Sequence, residues 1–233
     1  MMIHFVLVEP AVPENVGAAA RALKTMGFHS LRLVNPCEFR EGKAQWLAHG
    51  SADILDKACV FPTLREAVAD IDFVVATTAK RRSATGDLHL AEGIPEIIWQ
   101  KKNSTDSVAL VFGREESGLT NAEIQLCHIS SYLPMAVAYP SLNLGQAVML
   151  YAYLLSKINL AVEKPSVETA TPSKFRTMNQ QMANLLDDTR LSKNANITHR
   201  IFERMALLAD GDINLVLSVL AAIKAKANFG IEH

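Results

Sequence analysis

The sequence predicts an α/β protein: a mostly parallel sheet flanked by helices, followed by a small C-terminal helical appendage. Three observations predict it. Over residues 1–160, short continuous apolar runs of the kind found in strands buried on both faces alternate with stretches of helical spacing. A composition break rich in Glu, Lys, Ser, Thr and proline then covers residues 161–172 and reads as a linker. Beyond it, in residues 173–233, apolar residues recur at helical spacing alone, as in Phe175, Met178, Met182 and Leu185, then Ile201, Met205 and Leu208, then Val216, Val219, Leu220 and Ile223.

The elements follow in order. Residues 3–8 form a first strand, broken by Glu9-Pro10, and residues 14–26 a helix stopped by Gly27, a residue suited to the left-handed turn after a helix. Residues 31–34 form a second strand. Residues 46–55 and 64–69 read as two short helices, and residues 71–76 as a third strand that gives way to Thr77-Thr78-Ala79. A fourth strand, 107–112, enters the loop Gly113-Arg114-Glu115-Glu116-Ser117-Gly118. Thr120 and Glu123 form a capping box that opens another helix, and a fifth strand, 129–133, ends at Pro134. A long helix then runs from Asn143 to about residue 158, with Asn143 as its N-cap and Gln146 completing a capping box. Sheets of this type bind ligands at the carboxyl ends of their strands. The loops at Thr77, Gly113 and Pro134 all sit there, so one site built from the three is expected.

Composition narrows the function. The 233 residues are 49% hydrophobic with a net charge of −1, so a nucleic-acid site must be a local basic patch. The three cysteines, Cys37, Cys59 and Cys127, are widely spaced and suggest neither zinc nor redox pairing. The N-terminus lacks a basic leader and no apolar run is long enough to span a bilayer, which sets the cytoplasm as the expected compartment, with no membrane partner. His49 and Asp187-Asp188 have no partners in metal-ligand spacing, and no metal is expected.

Four stretches could carry chemistry. In the first helix, Asn15 is followed by Gly17 and an Ala-rich turn to Arg21. With glycine one turn before it, the guanidinium has no side chain beneath it and could meet an anion across a thin wall. The loop from Gly113 to Gly118 has the look of a ligand loop, but it is neither a dinucleotide fingerprint nor a P-loop. Thr77 and Thr78 precede three cations, Lys80, Arg81 and Arg82, a local patch suited to a polyanion. The start of the last long helix, Ser141-Leu142-Asn143-Leu144, presents backbone N–H groups without intrahelical partners. Taken singly, each pattern also suits a packed helix or a solvated surface turn.

Together they are specific. The segments 15–21, 111–119 and 133–144, in that order, resemble the three motifs of the SPOUT superfamily of RNA methyltransferases, and within it the TrmJ/LasT-type tRNA/rRNA methyltransferases. The likeness to that group rests on Asn15 to Gly27 and on Ala76-Thr77-Thr78-Ala79, and the resemblance covers roughly residues 1–160. It implies a deep trefoil knot, an exception to the rule that chains do not thread. It implies S-adenosylmethionine bound at Thr77, Thr78, Ala79, Gly113, Leu133, Met135, Ser141, Leu142 and Asn143. It further implies a homodimer and methyl transfer to a ribose 2′-hydroxyl of RNA, typically of an anticodon-loop cytidine or uridine in tRNA, with rRNA as the alternative. Arg21, Asn15, Ser141 and Asn143 would serve catalysis. Arg21 would bind RNA together with Lys80, Arg81 and Arg82, and Glu115 would brace the knot loop. Because a guanidinium almost never loses its proton in a protein, Arg21 is expected to grip phosphate and stabilise alkoxide charge rather than act as the base. Two other classes, a binding module of this fold and a reductase of ordinary dinucleotide-binding type, are disfavoured by the intact motif residues and by the missing glycine fingerprint respectively.

Overall fold

The structure, a computed structural model, describes residues 1–79, 88–137, 141–159, 173–189 and 191–229. Its centre is an all-parallel sheet. Among the described residues the strands are β1 (Met2–Val8), β2 (Ser30–Val34), β3 (Cys59–Phe61), β4 (Phe73–Thr77), β5 (Leu88–Leu90), β6 (Ser107–Phe112) and β7 (Ile129–Tyr132), in the spatial order β3-β2-β1-β6-β4-β7-β5. Pairing is in register along apolar runs, with Phe5 beside Leu31 on one side and Leu110 on the other. Both faces are covered, as parallel strands require. Phe5, Leu7, Phe73, Val75, Leu110 and Phe112 enter the larger core, while Val6, Val8, Val74, Ala109 and Val111 enter a second core on the opposite face.

Three expectations need correction. The sheet has seven strands rather than five, because β3 and β5 were not anticipated. Both are three-residue edge strands with no fully buried side chain, too short to leave an apolar run. The single helix expected at 46–55 is two, α2 (Lys43–Leu47) and α3 (Ala52–Asp56), separated by Gly50 at φ 74°. The strand expected at 71–76 is displaced to Phe73–Thr77, because the buried Asp72 carboxylate accepts backbone N–H groups from Asp106 and Ser107 instead of facing a strand neighbour. The other helices relevant to the site are α1 (Pro13–Thr25), α5 (Ile94–Trp99), α6 (Asn121–Ile124) and α7 (Leu144–Asn159).

After the expected linker, which lies outside the described residues, come α8 (Lys174–Asp188), α9 (Ala195–Ala206) and α10 (Asp210–Phe229). These helices pack at the amino-terminal edge of the sheet. Phe175 and Met178 are fully buried in the same core as Phe73, with the Phe175 ring edge-on to that of Phe73. Arg176 pairs with Asp72 at 3.0 Å. The Lys101 ammonium lies between the rings of Phe73 and Phe175 and donates to the Leu208 carbonyl just beyond α9. The loops at the carboxyl ends of the strands are therefore on the edge opposite to α8, α9 and α10.

Candidate active site at the carboxyl edge of the sheet

The chain steps outward from β1 through β2 to β3 and then returns to β4 on the far side of β1, where β6 is later inserted. A reversal of this kind opens a crevice at the carboxyl ends of the strands. The adjacent order β6-β4-β7 brings the loops after Phe112, Thr77 and Tyr132 side by side.

A chain of hydrogen bonds ties the three candidate segments together. The Glu115 carboxylate accepts from the backbone N–H groups of Ala11 and Val12 at 3.2 and 3.3 Å and from Asn15 Nδ2 at 2.9 Å. Asn143 Nδ2 donates to Asn15 Oδ1 at 2.7 Å, and Asn143 Oδ1 accepts from the Gly145 N–H at 2.8 Å. Gln146 Oε1 accepts from the Asn143 N–H at 3.1 Å, closing the expected cap on α7. Helices α1 and α7 meet so closely that a Cβ on Gly145 would lie 2.8 Å from Ala18 Cβ. Asn15 is 7% exposed, with its amide nitrogen bonded to Glu115 and its amide oxygen to Asn143.

Arg21 sits two turns further along α1. Its side chain is exposed and has no hydrogen-bond or ion-pair partner among the described residues. The reading of Gly17 as a thin wall beneath it is corrected by packing. A Cβ on Gly17 would lie 2.1 Å from the Ala44 carbonyl oxygen, so this glycine admits the backbone of α2, not a ligand.

The loop after β6 is held by a residue that the sequence reading passed over. Arg114 donates from Nε to Glu9 at 2.8 Å and from both terminal nitrogens to Glu123 at 3.0 Å. The bond from Arg114 holds the Glu9 carboxyl below its ordinary range. Glu9 itself is in the left-handed region at φ 46°. A Cβ on Gly113 would meet the backbone of Gly118 at 2.2 Å, so the loop can close only over glycine. The Thr120–Glu123 capping box was legible, but the second task of Glu123, gripping Arg114, left no local signal.

The remaining predicted residues fall at the carboxyl ends of β4 and β7 and just before α7. Thr77 Oγ1 donates to the Val111 carbonyl at 2.9 Å, so it offers a ligand lone pairs rather than a hydrogen. The Thr78 N–H donates to the Ser131 carbonyl at 2.9 Å, and Ala79 is exposed. Leu133 and Leu142 are half-buried, while Ser141 is exposed. Met135 and Val137 are 46% and 59% exposed on the loop after β7. Lys80, Arg81 and Arg82 lie outside the described residues. Among the described residues, no group of His, Cys, Asp or Glu side chains could hold a metal ion, and no helix is long and apolar enough to cross a membrane.

Residues 2–153 match the profile of the SpoU rRNA methylase family. The chain belongs to that family. It is an S-adenosylmethionine-dependent RNA methyltransferase, and the family fold implies the trefoil knot. The SpoU chain is 39% identical to the uncharacterized tRNA/rRNA methyltransferase LasT of Escherichia coli strain K12, over 96% of this chain and 98% of that protein. It is 39% identical to the tRNA (cytidine/uridine/adenosine-2′-O-)-methyltransferase TrmJ of Pseudomonas aeruginosa, over 70% of this chain and 64% of that protein. The crystal structure of TrmJ from Z. mobilis ZM4 has a TM-score of 0.66 and 29% identity, covering 96% of this chain and all of that one.

The strand-end residues fit the cofactor of this family. Exposed Met135 and Val137, with half-buried Leu133 and Leu142, are apolar side chains that the fold itself leaves partly uncovered, the kind of surface that an adenosyl group would need. The narrow Gly113 turn leaves the loop after β6 without a side chain at that point.

Proposed function

We propose that this SpoU methyltransferase acts on a ribose 2′-hydroxyl of tRNA, at an anticodon-loop cytidine or uridine. The observation that carries the reading is the Glu115–Asn15–Asn143 chain, which fixes α1 against α7 and leaves the exposed Arg21 without a partner among the described residues. A cation so placed suits an anion brought by the substrate. The cofactor supplies the methyl group. It would be held by Thr77, Thr78, Ala79 and Gly113 on one side and by Leu133, Met135, Ser141, Leu142 and Asn143 on the other.

The residues of this chain then divide the remaining work. Arg21 grips a phosphate beside the target nucleotide and stabilises negative charge as the hydroxyl oxygen develops it. Asn15 and Asn143 hold α1, and with it Arg21, in register with the cofactor crevice, because in-line methyl transfer depends on positioning. Ser141, whose hydroxyl has no partner among the described residues, orients the ribose. Water or a phosphate oxygen takes the proton. Lys80, Arg81 and Arg82 supplement the phosphate contacts, and Glu115 braces the loop after β6.

The active unit is a homodimer through α7. That helix buries Val148, Tyr151, Ala152 and Leu155 against its own domain, yet Leu150 and Tyr153 on another face are 39% and 51% exposed. Support for tRNA over rRNA comes from the TrmJ relatives, and the Z. mobilis TrmJ structure covers more of this chain than residues 1–160 alone.

The test is mass-spectrometric mapping of ribose methylation in tRNA and rRNA from cells with and without the gene, paired with transfer assays on purified tRNA and ribosomal RNA. Loss of a 2′-O-methyl group at an anticodon-loop pyrimidine supports the reading. A mark lost only from rRNA would overturn the choice of tRNA.

A further inference from the structure

Helix α10 carries more apolar surface than its own domain uses. Ile213 and Leu220 are buried, with Val216 and Leu217 partly buried beside them, and these four face the core. A second stripe points elsewhere: Leu215, Val219 and Ile223 are 67%, 59% and 43% exposed. At about 100° per residue, Asp212, Leu215, Val219, Ile223 and Lys226 fall within an arc of about 80° centred roughly 110° from the core-facing stripe. All five are exposed. The order along the stripe is acidic, apolar, apolar, apolar, basic, with Val219 at its midpoint.

This stripe is its own complement. When two such helices run antiparallel about a two-fold axis at Val219, each Val219 meets the other. Leu215 lies beside the second copy's Ile223, and Asp212 opposes its Lys226 at both ends. A parallel pair would instead set like charges together. Helix ends favour the same arrangement, since Asp212 is in the first turn and Lys226 in the last. We propose that α10 is a self-association surface, on which the second copy of this chain docks as an antiparallel helix pair with Val219 on the two-fold axis. This surface is separate from the α7 dimer of the proposed function. A pairing of three apolar residues a side is small by the standard of stable interfaces, so its affinity alone is modest.

The test is site-directed cross-linking in the full chain with exposed Cys59 and half-buried Cys37 replaced by serine. Every cysteine position on α10 is exposed, so those variants are expected to melt like the parent. Under mild oxidation Val219→Cys should form a disulfide-linked dimer at least tenfold faster than Ser218→Cys, which is exposed but off the stripe. Leu215→Cys and Ile223→Cys should link to each other when mixed, and neither should link to itself. Asp212→Lys should weaken association, measured by sedimentation equilibrium, by about tenfold at low salt, and adding Lys226→Asp should restore it. Equal linking of Val219→Cys and Ser218→Cys would overturn the proposal, as would self-linking of Leu215→Cys. An oligomer that forms through α7 alone leaves these cysteines unlinked, so the two readings fail separately.

Discussion

Asn143 and Asn15, 128 residues apart in sequence, share a hydrogen bond of 2.7 Å from Nδ2 to Oδ1. The bond joins the start of α7 to the first turn of α1. It uses a donor that only an amide supplies, while the Oδ1 of Asn143 caps α7. Asn143→Asp should therefore separate the two tasks. The carboxylate keeps the cap, because aspartate is as good an N-cap as asparagine. It cannot donate to Asn15 Oδ1, and leaving a buried acceptor facing another acceptor costs about 1–3 kcal/mol. Methyl transfer should fall at least about tenfold with the helix content unchanged. Asn143→Ala should lose both tasks and be less stable to urea than Asn143→Asp. Equal loss of stability in the two variants would count against this division of labour.

Arg21→Ala should reduce methyl transfer by a factor of hundreds, matching the loss of about 3–4 kcal/mol for a charge-assisted contact to a developing anion. Cofactor affinity by calorimetry should be little changed, because Arg21 is on α1 and the proposed cofactor residues are on the loops after β4, β6 and β7. The side chain is exposed and unpartnered among the described residues, so stability should change by no more than about 0.5 kcal/mol. Arg21→Lys should rescue poorly, since a point charge does not reproduce a planar fork. An Arg21→Ala protein that methylates its RNA at the parental rate would remove Arg21 from the mechanism.

What could be read from the sequence follows from how local each signal is. The central strands announce themselves as apolar runs, because strands such as 107–112 and 73–77 are buried on both faces. The capping boxes at Thr120 and Asn143 are visible because cap and acceptor are three residues apart. Edge strands β3 and β5 carry no such signal, since three-residue segments with no fully buried side chain need no apolar pattern. The site was legible as stretches expected to meet, but the bonds that join them were not. Arg114 bonds to Glu9 across 105 residues and Glu115 to Asn15 across 100, and nothing in either neighbourhood marks its partner. Gly17 shows the limit most plainly: a need for close approach could be inferred from glycine in a helix interior, but not that the approaching group is the Ala44 carbonyl.

Gly17→Ala tests that reading. The added methyl would sit 2.1 Å from a backbone oxygen, so α1 and α2 must separate. Overpacking of a buried contact costs about 1–3 kcal/mol, and more where the obstacle is backbone. Gly93→Ala is the matched control, because a Cβ there meets nothing within 4 Å and its φ is −83°. That change should be neutral or stabilising by up to about 1 kcal/mol. Urea denaturation of the two variants reads the difference directly. A Gly17→Ala protein as stable as Gly93→Ala would mean that the α1–α2 contact yields at no cost.

The last prediction concerns pH. His128 is enclosed between Phe73 and Phe175, and its Nδ1 accepts the Val74 N–H at 2.9 Å, so the neutral ring carries its hydrogen on Nε2. Protonating Nδ1 would set N–H against N–H. Burial, and then the charge on Lys101, push the His128 pKa down from 6.5 to about 4. Between those values the unfolded chain binds a proton that the folded chain refuses, so stability is full above pH 6.5 and declines as pH falls towards 4. Below about 4 both states are protonated and this group adds no further slope. The loss across the window is on the order of 3 kcal/mol. His4, also lowered to about 4 by burial and then by Arg32, adds a slope of the same sign. His128→Gln keeps an acceptor for Val74 but does not titrate. It should therefore flatten the dependence of urea stability on pH between 6.5 and 4 by the share that His128 contributes, leaving the part due to His4. If His128→Gln and the parent chain lost stability in parallel over that window, the slope would have to come from other groups.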